Sequence, residues 1–203
     1  MESTTAQEAK RRARAEVRRR INALPRELRA RKSRQACEHL LGLREIQAAG
    51  VILAYVALPD ELDIRPALGA LREAGTRIVL PRCLPEQHDL LCIEVHDLEQ
   101  DLAPGTFGIP EPTTGDPVSP DRIDALAAPG RAFDRQGNRV GRGAGYFDRM
   151  MAGDEFRAFV CGIGFDCQVF PRLPAEPHDV PVDALVTESG VVRIRRPARA
   201  QNE

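Results

Sequence analysis

The sequence predicts an α/β fold with a mainly parallel sheet, and three observations carry that reading. The run Val51-Ile52-Leu53-Ala54-Tyr55-Val56 is apolar throughout, as strands buried on both faces are. A helical stretch and a second apolar run, Arg77-Ile78-Val79-Leu80, follow at the spacing of a βαβ unit. Further short apolar runs recur down the chain, with no internal repeat and no low-complexity linker between them. One domain over residues 1–203 is expected, opened by a helical segment at about 5–45.

Each element has its own signal. Residues 5–23 lack Gly and Pro and are rich in Ala, Arg and Glu, which favour helix. Pro25 suits the first turn of a second helix reaching about Leu43, with Leu24, Leu28, Leu40 and Leu41 as apolar points. After the 51–56 strand comes the loop Ala57-Leu58-Pro59-Asp60-Glu61, then a helix over about 65–74 closed by Gly75. The strand at 77–80 is expected to stop at Pro81, and Leu90 to Val95 forms the next. Residues 101–120, rich in Pro and Gly, read as an irregular connection. Ile123 to Ala128 is a strand leading directly into a Gly/Arg loop, and Tyr146 to Met151 opens a helix. Phe159 to Gly164 and Asp183 to Val186 are short strands, with an edge strand at Val191 to Ile194. Ligands of such sheets sit beyond the carboxyl ends of the strands, so the loops after 51–56 and 123–128 should face one cleft.

Composition narrows the function classes. The 203 residues carry a net charge of −1, with 29% charged and 42% hydrophobic residues, an ordinary composition for a soluble protein. The five cysteines form no CxxC pair, which fits reduced thiols in a cytoplasmic protein. The first residues are charged and no apolar run approaches about 18 residues, so neither export nor a membrane span is expected. Residues 1–35 hold twelve of the 29 Lys and Arg against four Glu. Such a basic segment could meet nucleic acid, but no aromatic residue precedes Tyr55 to stack on bases. A solvated helix face is the favoured reading, with a few cations free to point inward to a phosphate.

The run from Phe133 to Arg149 (FDRQGNRVGRGAGYFDR) is the richest in chemistry. Four glycines and four arginines alternate over seventeen residues, and Asp134 and Asp148 stand near its ends. Glycines let backbone N–H groups approach an anion, arginines add fixed forks of charge, and an aspartate can hold a divalent cation. The run is neither a Walker A loop nor a G-x-G-x-x-G turn, so spacing alone distinguishes an anion loop from a glycine-rich surface loop only weakly. Other acids are equally two-sided. Glu61 could accept the N–H groups of a pterin or cap the helix at 65–74. Asp148 could bind Mg²⁺ or complement a helix N-terminus. His178-Asp179, between Pro177 and Pro181, reads as a stiff turn before it reads as a metal site.

Taken in order, these pieces resemble the 5-formyltetrahydrofolate cyclo-ligase (5,10-methenyltetrahydrofolate synthetase) family. They are Lys10-Arg11-Arg12-Ala13-Arg14, YVALPDELD at 55–63, Leu80-Pro81-Arg82, FGIPEP at 107–112, AFDRQGNRVGRGAGYFDR at 132–149, Gln168, and PAEPHDVPVDALVTE at 174–188. The long loop is the specific signal, and the matches span residues 10 to 188. The resemblance implies a three-layer α/β/α fold related to sugar-phosphate isomerases and CoA-transferases. It implies an ATP- and Mg²⁺-dependent conversion of 5-formyltetrahydrofolate to 5,10-methenyltetrahydrofolate; a cytoplasmic monomer is expected. By the same resemblance Lys10, Arg11, Arg12, Ala13 and Arg14 meet the nucleotide together with Arg139, Val140, Gly141, Arg142, Gly143, Ala144, Gly145, Tyr146 and Phe147. Val56 and Glu61, with Arg142 to Tyr146, hold the folate; Asp148 and Asp179 are the implied Mg²⁺ ligands; Lys10, Arg142 and Tyr146 are the implied catalytic residues. The chain departs from the family pattern at Val140 (usually Leu), Ala144 (Gly or Lys), Phe147 (Tyr) and Arg131 (a small apolar residue). Phe147 and Arg131 motivate an alternative, a folate- or nucleotide-binding regulator without turnover.

Overall fold

A computed structural model describes residues 2–194, with the side chains of 2–4 and Phe107 excepted. Its centre is a seven-stranded sheet with the order β12-β11-β9-β6-β1-β2-β3. The strands are β1 (Val51–Leu53), β2 (Arg77–Leu84), β3 (Asp89–Val95), β6 (Ala125–Pro129), β9 (Phe159–Ile163), β11 (Ala184–Thr187) and β12 (Gly190–Arg193). The five inner strands are parallel, and β3 and β12 close the two edges antiparallel. From β1 the chain winds to β2 on one side, and from β6 to β9 and β11 on the other. The loops after β1 and β6 therefore leave the sheet at its switch point, where an α/β sheet opens a crevice.

Side chains alternate along these strands, so the sheet is covered on both faces. Ile52, Ile78, Ala125, Cys161 and Ala184 pack under α1 (Glu2–Asn22), α2 (Arg26–Leu41), α3 (Arg44–Gln47) and α4 (Arg65–Glu73). Leu53, Val79, Leu126 and Val160 face the other way, onto Met150 and Met151 of α5 (Tyr146–Ala152), Phe156 and Val118. The result is the expected three-layer α/β/α arrangement. In α1 the buried residues Lys10, Ala13, Val17 and Ile21 recur every three to four positions, one stripe of a helix. Full burial of Val17 and Ile21 contributes about 1.5–3 kcal/mol each. Their packing carries Lys10, at the far end of the same stripe, to the site.

Several boundaries differ from the sequence reading. The helix expected to reach Leu43 ends at Leu41, and α3 follows at once. Strand pairing in the 51–56 run stops at Leu53. β2 runs through Pro81 to Leu84 because β1 ends opposite Val79. Beyond that point β2 has a partner only in β3, and a strand with one free side tolerates proline. The 101–120 connection contains a paired β4 (Leu102–Pro104) and β5 (Pro110–Pro112).

The Gly/Arg segment follows β6 within three residues, as expected, but its first half is paired. The run contributes β7 (Ala132–Asp134) and β8 (Arg139–Val140), which join β10 (Val169–Phe170) in a small sheet against which α1 packs. Asp134 is fully buried and serves this hairpin, accepting N–H groups of Gln136, Asn138 and Leu173. The Phe133 ring sits in a socket with no room for side chains. A Cβ at Gly130, Gly162 or Gly164 would lie 2.4, 2.7 or 2.9 Å from its atoms. Gln168 locks the same corner by donating to the Gly130 and Arg131 carbonyls.

Candidate active site

The loop between β8 and α5 separates two cavities. Gly143 (φ 120°) and Gly145 (φ 72°) take left-handed conformations that a side chain would strain, and Gly145 thereby turns the chain into α5. On one side is an open cleft of about 770 Å³ lined by Lys10, Arg14, Asp148 and Asp179. On the other is a narrower pocket of about 150 Å³ lined by Tyr55, Val56, Glu61, Leu80, Tyr146 and Phe147. Arg139, Gly141, Ala144, Gly145 and Asp148 belong to both walls.

The cleft is built by charge. Lys10 is only 9% exposed, and its Nζ lies 2.8 Å from Glu176 Oε2 and 2.5 Å from Asp179 Oδ2. Burial works to lower the Lys10 pKa, but the hydrogen bonds it donates to Asp179 and Glu176 outweigh that and leave the ammonium above its usual range. Glu176 and Asp179 are bound to each other through the turn, Glu176 N–H donating to Asp179 Oδ2 at 2.7 Å. Arg14 Nε donates to the Gly141 carbonyl at 2.8 Å and so ties α1 to the glycine loop. Arg139, 2% exposed, donates to Asp148 Oδ1 at 2.9 Å and to the Pro129 carbonyl at 3.1 Å. Its Nε is buried with no hydrogen-bond partner among the described residues.

The pocket is apolar with a charged rim. Tyr55 donates to the Leu62 carbonyl at 2.6 Å and shapes the loop after β1. Glu61 does not cap α4. Its Oε2 accepts Leu58 N–H at 3.1 Å, and its Oε1 accepts Arg142 Nη2 at 2.8 Å and Nε at 3.0 Å. Arg142 also reaches Asp60 Oδ1 at 3.2 Å, and Asp60 Oδ2 pairs with Arg131 Nη2 at 2.6 Å. Burial alone would raise the Asp60 pKa, but the hydrogen bond and charge of Arg131, joined by Arg142, hold it below the usual carboxylate range. Cys83, on the same wall, is pushed up to about 11 by burial and by the charge of Glu111, so it is a thiol at neutral pH.

The structure brings most of the expected site residues together. Lys10, Arg11, Arg14, Arg139, Val140, Gly141, Gly143, Ala144, Gly145, Asp148 and Asp179 line the cleft, while Val56, Glu61, Arg142, Tyr146 and Phe147 line the pocket. Two positions of the N-terminal motif lie outside both cavities. Arg12 turns outward to Glu8 at 2.7 Å, and Ala13 packs into the core. Further along α1, Arg19 and Arg20 pair with Glu16 of the same helix. Sequence reasoning missed Glu176, Asp60 and the role of Arg131. Glu176 had a weak signal, a second acid three residues before Asp179 in a proline-bounded turn. Glu176, His178 and Asp179 present ligand atoms all within 4.8 Å of one another. A hard cation is compatible with these carboxylate oxygens, which already face a cation in Lys10. Among the described residues no helix is long and apolar enough to cross a membrane.

Comparison with known proteins gives a consistent result. Residues 6–188 match the 5-formyltetrahydrofolate cyclo-ligase family. The chain is 31% identical over 179 residues to the 5-formyltetrahydrofolate cyclo-ligase of Escherichia coli K12, covering 86% of this chain and 98% of that protein. It is 28% identical over 198 residues to the mouse enzyme of the same name, covering 93% and 98%. The NMR structure of Aquifex aeolicus 5,10-methenyltetrahydrofolate synthetase superposes with a TM-score of 0.80 at 32% identity, over 96% of this chain and 97% of that one.

Proposed function

We propose, from the premise that the chain belongs to the 5-formyltetrahydrofolate cyclo-ligase family, that it converts 5-formyltetrahydrofolate to 5,10-methenyltetrahydrofolate while ATP is cleaved to ADP and phosphate. Residues 1–203 act in this reading as one cyclo-ligase domain. The observation that carries it is the shared wall: one glycine loop borders a charged cleft and an apolar pocket, so two different ligands can meet across it.

The chemistry divides along that wall. The N5-formyl group is amide-like, and its oxygen leaves poorly. Transfer of the γ-phosphoryl group forms a P–O bond to that oxygen and breaks the bond to ADP. N10 then attacks the formyl carbon, the former formyl oxygen departs with phosphate, and N10 gives up its proton. N10 is tethered within the same folate, so the second step needs orientation more than a strong base. The first step needs a positioned phosphate and compensating charge. Lys10, Arg14 and Arg142 supply that charge from three directions, and backbone N–H groups of 141–145 approach the phosphates. Asp148 and Asp179 would hold Mg²⁺, which neutralises phosphate charge when bound. On the pocket side, Glu61 offers carboxylate oxygens to pteridine N–H groups, and Val56, Leu80 and Tyr146 provide apolar walls.

The test is the absorbance of methenyltetrahydrofolate formed by the purified protein from 5-formyltetrahydrofolate, with and without ATP, and with Mg²⁺ present or chelated. Product that requires both is expected. No product at high enzyme, beside a working family member, would overturn the reading.

A further inference from the structure

In the proposed function Arg142 and Glu61 serve different ligands, yet in the structure they are bound to each other. Arg142 spends its Nε and Nη2 on Glu61 Oε1, and the second oxygen of Glu61 accepts Leu58 N–H. Glu61 thus accepts three of the about four hydrogen bonds open to a carboxylate, so a pteridine presenting two N–H groups finds too few free acceptor sites, and a phosphate finds Arg142 neutralised. Asp60 adds a second carboxylate to the same guanidinium, and Arg131 fixes Asp60 through its Oδ2 and, at 3.4 Å, its backbone carbonyl. Two arginines and two carboxylates make a closed, neutral group spanning the loops after β1 and β8. Arg142 is 41% exposed and flanked by Gly141 and Gly143, so it can swing to the cleft without moving the core.

From this arrangement we infer that Asp60, seated by Arg131, is a positioning residue that parks Arg142 on Glu61, so that nucleotide and folate binding reinforce each other. The inference rests on the function proposed above. Whichever ligand arrives first must separate Arg142 from Glu61; the second finds its partner already released. A coupling of this kind is reciprocal, because each ligand must change the affinity of the other by the same factor.

Equilibrium binding of 5-formyltetrahydrofolate, measured with and without a saturating non-hydrolysable ATP analogue and Mg²⁺, tests it. The expected result is about fivefold tighter folate binding in the presence of the analogue, the lower end of typical coupling. The analogue should tighten by the same factor when folate is saturating. In Asp60→Asn and Asp60→Ser, the analogue alone should bind more tightly than to wild type, and the coupling should fall by about two- to threefold, the scale of one partly exposed charged contact. Coupling unchanged in both variants would assign the reinforcement to contacts between the ligands and overturn the role of Asp60. Two ligands that bind wild type with the same affinities alone and together would overturn the inference while leaving the proposed function standing. Failure of either ligand to bind wild type would overturn both.

Discussion

The cleft and the pocket on either side of residues 141–145 are held in place by different forces. The pocket is lined by residues at the carboxyl ends of β1, β2 and β6, so its shape follows from the register of the parallel sheet. The cleft is assembled from α1, β8, the 174–181 turn and the start of α5; Lys10 joins α1 to the turn through Glu176 and Asp179, and Arg139 joins β8 to α5 through Asp148. Hydrophobic packing sets the general course of α1, but charge sets the last few ångströms. The cleft should therefore be the more sensitive to loss of a single charge, and the pocket to loss of a hydrogen-bonding group.

The largest expected effect is on Lys10. Lys10→Met should lower kcat by about 100-fold or more, on the scale of the 3–4 kcal/mol lost when one preorganised donor to a developing charge is removed. The KM for folate should stay within about threefold, the variation expected of a group that does not touch it. A fall in folate affinity with kcat intact, read from initial rates, would break the division between the two cavities. Next is Arg139, whose replacement by Met leaves Asp148 partly buried without its cation. Urea unfolding should show a loss of about 3 kcal/mol, as for other broken buried pairs. A stability change near zero would mean that the shared wall does not depend on that pair.

Glu61→Gln should act on the pocket side. It removes a charged acceptor, and the KM for 5-formyltetrahydrofolate should rise by about tenfold, near the low end for hydrogen bonds to charged groups. Steady-state titration of each substrate separates this from an effect on ATP. The smallest effect is an alkaline one. The Lys10 pKa is raised in the folded state, so its stabilising contribution is complete below the ordinary value of 10.5 and is lost as pH rises through the higher folded value. Melting temperatures followed upward from pH 9 should fall more steeply for wild type than for Lys10→Met. Parallel curves would show that the ammonium contributes nothing specific to the fold.

The sheet was legible in the sequence because its strands are short apolar runs that no other element explains. The 51–56, 77–80 and 123–128 runs placed β1, β2 and β6, and the position of two unusual loops at strand ends pointed to one crevice. The limits were pairing effects. Nothing local shows that β1 ends opposite Val79, so Pro81 reads as a stop when it is merely on a side without a partner. The small β7–β8–β10 sheet was hidden because two-residue strands such as Arg139–Val140 carry no period. In the site, the glycine loop was legible from its own composition. The convergence of Lys10 with Asp179 came only by resemblance to a family, since 169 residues separate them. The pairing of Asp60 with Arg131 escaped altogether, because an ion pair between two loops leaves no trace in either one.

The socket around Phe133 carries a last consequence for how this chain can change. Gly162 and Gly164 line neither cavity and Gly130 borders the pocket by backbone alone, yet none of the three has room for a Cβ, because the Phe133 ring fills the space beside it. An alanine at any of them would push that ring outward, at about 1–3 kcal/mol for an overfilled interior. The ring belongs to the hairpin that delivers Arg139, so the disturbance would arrive at the wall between the two cavities as a misplaced guanidinium. Variation at these three positions is thus constrained by the placement of Arg139, and a compensating smaller residue at 133 is the route by which it could be relieved.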